Sequence, residues 1–260
     1  MEFESAIRLG SFFFILLAAG AAEYVWPRRQ LTAPKIRRWI ANLSMSVIST
    51  ILLRLLLPLV PTGFALYLAE HNWGLLNIIP LPNWLSFLLA ILLLDMLIYW
   101  QHVLFHQHQL LWRLHRMHHV DTDIDASTGI RFHPIEIVLS MILKLAAIAL
   151  LGPPAEAVLA FEVLLNGCAL FNHANVRFPA RVDALLRLVV VTPDQHRVHH
   201  STHPDEFNAN YGFNFPWWDR VFGTYVPQPK EGHTAMRIGL NIFRDHKYIS
   251  IPRLLSLPFI

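Results

Sequence analysis

The sequence contains one cysteine, Cys168, in 260 residues. A single thiol can form no intrachain disulfide and no Cys-based metal site. Charge is scarce as well: Asp, Glu, Lys and Arg make up 15% of the chain, against about 25% in a typical soluble domain. Hydrophobic residues account for 54% and gather in long runs, so the class is membrane protein rather than water-soluble globule. Familiar catalytic signatures are missing too. There is no HExxH, which argues against a zincin-type protease, and no Glu followed by His three residues on, which removes the ferritin-like carboxylate di-iron pattern. The GxSxG, GxxxxGK[ST] and GxGxxG patterns of nucleophile elbows, phosphate loops and dinucleotide sites are absent. With a net charge of only +3, no nucleic-acid partner is expected.

What is present begins with five apolar stretches: Ser5–Trp26, Ile40–Ala69, Trp84–Phe105, Ile135–Leu151 and Ala155–Asn172. A helix needs about 20 residues to cross a hydrocarbon core of about 30 Å, and the first three suffice. The second is interrupted by Arg54, Pro58 and Pro61. The last two are shorter and flank Gly152-Pro153-Pro154, a breaker that predicts a tight helical hairpin. Whether that hairpin crosses fully or dips into the bilayer, both its ends return to one side. Glu2 and Glu4 make a poor basic region for a cleaved leader, so the first stretch is expected to be an anchor.

Basic residues orient the bundle. Pro27–Arg38 holds Arg28, Arg29, Lys35, Arg37 and Arg38, whereas His71–Asn83 holds no Lys or Arg. Arg113, Arg116 and Arg131 follow the third stretch, and ten more basic residues follow His173. The positive-inside rule places these regions in the cytoplasm and the N-terminus outside.

Histidine is the anomaly. Ten of the 15 histidines fall within 102–119 and 196–203. His102-Val-Leu-Phe-His106 is an HxxxH box at the end of the third stretch. His115-Arg-Met-His118-His119 and His196-Arg-Val-His199-His200 are two HxxHH boxes. Positions i, i+3 and i+4 share a helix face about 5–6 Å apart, within reach of one ion or two neighbouring ions given metal–imidazole bonds of about 2.0–2.1 Å. Eight imidazoles are more than one ion can use. Clustered, buried imidazoles repel when protonated, and a shared metal relieves that. A lone histidine is more often structural, a reading applied to His71, His108, His233 and His246; His203 is also left outside the set. Imidazole suits Fe, Zn, Cu and Ni alike, so spacing does not choose the metal.

The ordered boxes and their surroundings resemble the fatty acid hydroxylase / sterol desaturase superfamily. Leu111-Trp112-Arg113-Leu114-His115 through His119 and Arg131-Phe132-His133-Pro134-Ile135-Glu136 are similar to its middle motifs. Phe171-Asn172-His173-Ala174-Asn175, Thr192 through Ser201, Asn210-Tyr211-Gly212 and Trp218 through Tyr225 follow its later ones. The resemblance covers about residues 90–226. It implies a non-haem dimetal centre, two Fe ions that zinc can replace in purified protein, with O2 as co-substrate for hydroxylating or desaturating a lipid. Carried over residue by residue, the ligands are His102, His106, His115, His118, His119, His196, His199 and His200, with His173 as a ninth. His133 is a further candidate, for which a helix-entry role competes. Turnover needs external electrons, so a separate ferredoxin, cytochrome or reductase partner is implied.

Asp95 lies inside the third stretch, where a charge is costly and functional by default. Asp95, Tyr99, His102 and His106 fall at i, i+4, i+7 and i+11, one stripe aimed at the cluster. Asp95 is expected to orient an imagined ligand imidazole from behind, with Tyr99 beside it; a helix–helix hydrogen bond is the competing reading. The expected architecture is an all-α integral membrane protein of four to five membrane helices, the last two a short hairpin, with a cytoplasmic helical cap built from 107–134 and 173–250. Residues 1–83 would be N-terminal membrane helices, 84–226 the catalytic domain and 227–260 a cytoplasmic tail. The membrane would be the inner membrane of a bacterium or the endoplasmic reticulum of a eukaryote. A zinc-dependent membrane hydrolase or a His-rich metal transport or storage protein is the alternative; a transporter would place its ligands near mid-bilayer in several helices, whereas these sit at one border.

Overall fold

The computed structural model describes residues 2–260 and, among them, contains helices and no strand; the only pairings are isolated bridges, Pro27 with Val176 and Ser201 with Ile238. Four helices match the apolar stretches within a few residues: α1 (Glu2–Val25), α5 (Asn83–Gln107), α7 (Pro134–Leu151) and α8 (Ala155–His173). Each is long and apolar enough to cross a membrane, as is the run Lys35–Ile78. The chain is therefore multi-pass.

The Lys35–Ile78 run is broken in the structure. The 22-residue α2 (Lys35–Leu56) extends about 33 Å at 1.5 Å per residue, enough for one crossing. Pro58 and Pro61 end it, and the remainder folds as the short α3 (Pro61–Glu70) and α4 (Leu75–Ile78). Thr62, at the start of α3, donates to Glu4 near the start of α1 (3.0 Å). Beyond its end, Trp73 donates its indole N–H to the Ala149 carbonyl (2.9 Å). So α3 lies across the end of the bundle remote from the histidines. There Gly74 (φ 98°) meets Gly152 (φ 58°), the left-handed cap of α7; a Cβ on Gly74 would stand 2.4 Å from the Gly152 Cα. Pro153 and Pro154 then prevent helix continuation, and the expected hairpin forms.

Three charges inside the apolar helices pair with one another. Glu162 of α8 accepts from Lys144 of α7 (3.1 Å) and from Arg8 of α1. One carboxylate thus ties three helices together where water is scarce.

The cap is stitched to α2 and the loop before it by ion pairs and hydrogen bonds that span more than 80 residues. Fully buried Arg38 of α2 holds Asp121 (2.7 Å) and Asp125, and donates to Thr128 (3.1 Å). Asp121 also takes Arg131 (2.7 Å), while Asp123 accepts the backbone N–H groups of Thr32 and Ala33 (2.8 and 2.7 Å). The C-terminal segment packs down as well: Leu254 and Leu257 are buried against Met45 of α2 and Met117 of α6 (Gln109–His119). Residues 227–260 are thus in part core, and the segment Ile251–Phe259 buttresses the helix that carries the first HxxHH box.

Candidate metal centre

Four helices converge on the site. The last two turns of α5 bring His102 and His106; α6 brings His115, His118 and His119; α10 (Pro193–His199), started by the Thr192 side-chain cap, brings His196, His199 and, just past its end, His200. His173 closes α8. All nine are buried. They sort into two groups whose ligand atoms lie within 4.8 Å of one another: His102, His106, His115, His119 and His199 in one, His118, His173, His196 and His200 in the other.

The sorting explains the HxxHH spacing. In α6 the outer pair, i and i+4, enters the five-membered group and the middle residue, His118, enters the other. In α10 the assignment is reversed: His196 and His200 serve the group of four, and His199 crosses to the five. Each box therefore bridges both groups from one helix face.

The nitrogens fit metal and do not fit one another. His173 Nδ1 donates to the Ala169 carbonyl (2.7 Å) and His118 Nδ1 to the Arg131 carbonyl (3.1 Å). With the protons on Nδ1, both Nε2 atoms present lone pairs, yet they stand 3.0 Å apart. His173 Nε2 is also 3.1 Å from His196 Nε2 and 3.2 Å from His200 Nε2. Bonds of about 2.0–2.1 Å to one ion put neighbouring ligand atoms about 2.9 Å apart at a right angle and about 3.4 Å apart at the tetrahedral angle. The observed spacings lie in that interval, and a cation among them turns mutual repulsion into coordination. In the other group His115 Nε2 and His119 Nε2 are 3.3 Å apart. His102 Nε2, His199 Nε2 and both nitrogens of His106 are buried with no protein partner, a state that is costly without a ligand.

Protonation agrees. Burial, reinforced by neighbouring imidazoles, holds His118, His119, His196 and His200 well below the usual imidazole value, and burial takes His199 down to about 3. Neutral imidazoles are the metal-binding form. Further contacts fix the rings: His102 Nδ1 meets the Tyr211 carbonyl (2.9 Å), His199 Nδ1 the Ala209 carbonyl (2.8 Å), and His115 Nδ1 the Glu136 carboxylate (2.7 Å). Such contacts set the tautomer and raise ligand basicity. Phe132 stacks on His118, 4.5 Å between centroids and 10° between planes. Gly129 lets the cap approach α8: a Cβ there would stand 2.1 Å from the Ala169 carbonyl oxygen, the acceptor of His173.

Three further residues of the expected site stand apart from the two groups. Asp95 touches no imidazole. It lies seven residues, about 10 Å along the axis, before His102, and accepts instead from the Trp218 indole (2.8 Å) and the backbone N–H groups of Asn214 and Phe215. The carboxylate that does orient an imidazole is Glu136. Tyr99 likewise faces the cap, its hydroxyl 2.9 Å from Thr224 Oγ1, which donates to Asp219 (2.7 Å). His133 stands outside both groups: its Nδ1 accepts from Ile135 N–H, capping α7, and its Nε2 faces the Leu255 carbonyl (3.3 Å). His71, His108, His203, His233 and His246 also lie outside them. No spacing signal marks Glu136, nor Arg38 and Asn42, whose partners sit in the distant cap.

A cavity of about 40 Å³ touches both groups. Its wall includes His102 and His115 from one, His118 and His196 from the other, and the carbon surfaces of Ile98, Phe105, Phe132 and Phe213.

Comparison with known proteins agrees with this construction. The model of the fatty acid hydroxylase family matches residues 87–224. An ornithine lipid hydroxylase of Rhizobium tropici is 31% identical over 157 residues, covering 60% of this chain and 46% of that protein. An alkylglycerol monooxygenase of Danio rerio is 32% identical over 198 residues, covering 75% and 42%. A methylsterol monooxygenase of Arabidopsis thaliana is 27% identical over 168 residues, covering 63% and 62%. The chain spans about half the length of the first two relatives. No solved structure matches it. The matched segment holds all nine converging histidines, and the chain belongs to the fatty acid hydroxylase family.

Proposed function

We propose that the chain is an O2-dependent lipid hydroxylase whose nine histidines hold two iron ions, one per group. The observation that carries this reading is the cavity whose wall takes histidines from both groups and is otherwise mainly carbon. A lipid carbon presented there would lie beside histidines of both groups, with Gln101 and Glu136 the polar side chains on the rest of the wall. The relatives act, by their names, on ornithine lipids, alkylglycerols and methylsterols, and all are hydroxylases or monooxygenases. The overall reaction is R–H + O2 + 2 electrons + 2 protons → R–OH + H2O.

Bound iron would supply the capacity to bind and reduce dioxygen, which the side chains lack. The protein's own part is positional. Carbonyl contacts and Glu136 fix the imidazole rings before substrate arrives. Ile98, Phe105, Phe132 and Phe213 exclude water from the reacting carbon. Asp95 and Asp219 pin the 210–224 segment, which supplies the Tyr211 carbonyl that holds His102. Because the histidines start where α5 ends, the substrate would come from the bilayer. Electrons would come from a separate protein on the cytoplasmic face, the side favoured by the basic residues at 28–38 and after 173. Reporter fusions at Asn77 and Thr234 should report opposite compartments.

The direct test supplies metal-loaded protein in lipid vesicles with a chemical reductant and 18O2. One 18O atom should appear in the lipid product for each pair of electrons consumed. Protein that holds two irons and incorporates no 18O into any extracted membrane lipid overturns the proposal.

A further inference from the structure

Two polar groups on the cavity wall lack partners. Glu136, 4% exposed, receives the His115 proton on Oε1, while its Oε2 is buried and accepts nothing. Gln101, on the α5 face that also presents Ile98, His102 and Phe105, has a buried Oε1 with no partner. A buried acceptor left unmade costs about 1–3 kcal/mol. Two of them on one small, otherwise carbon-walled cavity point to a ligand group that meets both.

The chemistry of that group can be narrowed. A plain hydrocarbon would fill the space and leave both oxygens bare. A carboxylate or phosphate would set like charge against Glu136. An ammonium would lie against the metal cations that the adjoining histidines are built to hold. A hydroxyl is neutral, donates its one proton to Glu136 Oε2, and accepts from the NH2 of the Gln101 amide, which a turn about the last side-chain bond brings to face it. The cavity is small, about 40 Å³, and histidines of both groups stand on its wall. A hydroxyl held there therefore lies within a few bonds of any carbon presented to the histidines.

We propose that Gln101 and Glu136 recognise a hydroxyl on the lipid, close to the carbon that is oxidised. This rests on the lipid-hydroxylase reading and narrows its substrate class to hydroxyl-bearing lipids.

The test uses anaerobic, metal-loaded protein in detergent and two probes of equal chain, 1-hexadecanol and hexadecyl methyl ether, which lacks the donor. Wild type should bind the alcohol about tenfold more tightly, the difference expected of one hydrogen bond to a charged group. Gln101→Met, near-isosteric and outside both histidine groups, should weaken the alcohol and the ether alike, since either oxygen accepts from the Gln101 amide, with the preference and the metal content unchanged; undiminished binding of both probes would remove Gln101 from the site. Equal affinity of wild type for the two probes, with both metals bound, overturns the hydroxyl assignment and leaves the hydroxylase reading standing. A discriminating wild type that incorporates no 18O into lipid overturns the hydroxylase reading instead.

Discussion

The two histidine groups draw on the same helices and differ in how they are held. The group of four is built around one residue: His173 Nε2 lies 3.0–3.2 Å from His118, His196 and His200. The group of five has no such hub. Its members come from α5, α6 and α10, and His106 has no protein partner on either ring nitrogen. The group of four would thus be tightly specified and intolerant of loss, while the group of five carries a redundant ligand.

The largest expected effect follows from the hub. His173→Ala should empty the group of four, lowering bound metal from two ions to one per chain and abolishing hydroxylation, with membrane insertion unchanged; metal analysis and product assay read this. Retention of two ions would erase the distinction between the groups. Glu136→Gln should weaken metal binding or activity by about 10–100-fold, the usual loss for a group that orients a ligand imidazole. Equilibrium metal titration should place the loss in the five-membered group. His106→Ala should keep two ions at loading concentrations, with a weaker second binding step. If it empties its group as His173→Ala empties the other, the redundancy is wrong.

Stability probes the scaffold beneath both groups. Asp121→Ala removes the carboxylate partner of Arg131 and one of the two that Arg38 holds, and breaking a buried ion pair this way costs about 3–5 kcal/mol. Thermal unfolding in detergent should show it, together with loosened His118, whose backbone carbonyl Arg131 holds (2.7 Å). The smallest effect is with pH. Burial raises the Asp121 carboxyl, but Arg38 and Arg131 outweigh burial and hold it below its ordinary value. Its contribution is then complete above the unfolded value of about 3.9 and is lost as pH falls through the lower native value. Stability through this residue should be flat from pH 8 to 5.

Much of this was legible in sequence because it is local. Helical spacing alone placed His115, His118 and His119 on one face, and hydropathy with Gly152-Pro153-Pro154 located the α7–α8 hairpin. His173 was legible only through family resemblance, since one histidine at a helix end carries no spacing signal. The shared stripe of Asp95 and His102 says nothing of depth: seven residues separate them, and Asp95 meets Trp218 and the backbone of Asn214 and Phe215 instead. Glu136 and Gln101 were not legible: a carboxylate beside His115, 21 residues away, requires α7 to return against α6. Arg38 passed for a topological charge because its partners lie more than 80 residues on.

The central claim is that nine histidines form two metal sites rather than one. Freshly reconstituted protein, freed of loosely bound ions by gel filtration, should contain two metal ions per chain by mass spectrometry, separated by about 3.5–4 Å as in other two-metal sites. One ion per chain in wild type, or two ions that both survive His173→Ala, contradicts it.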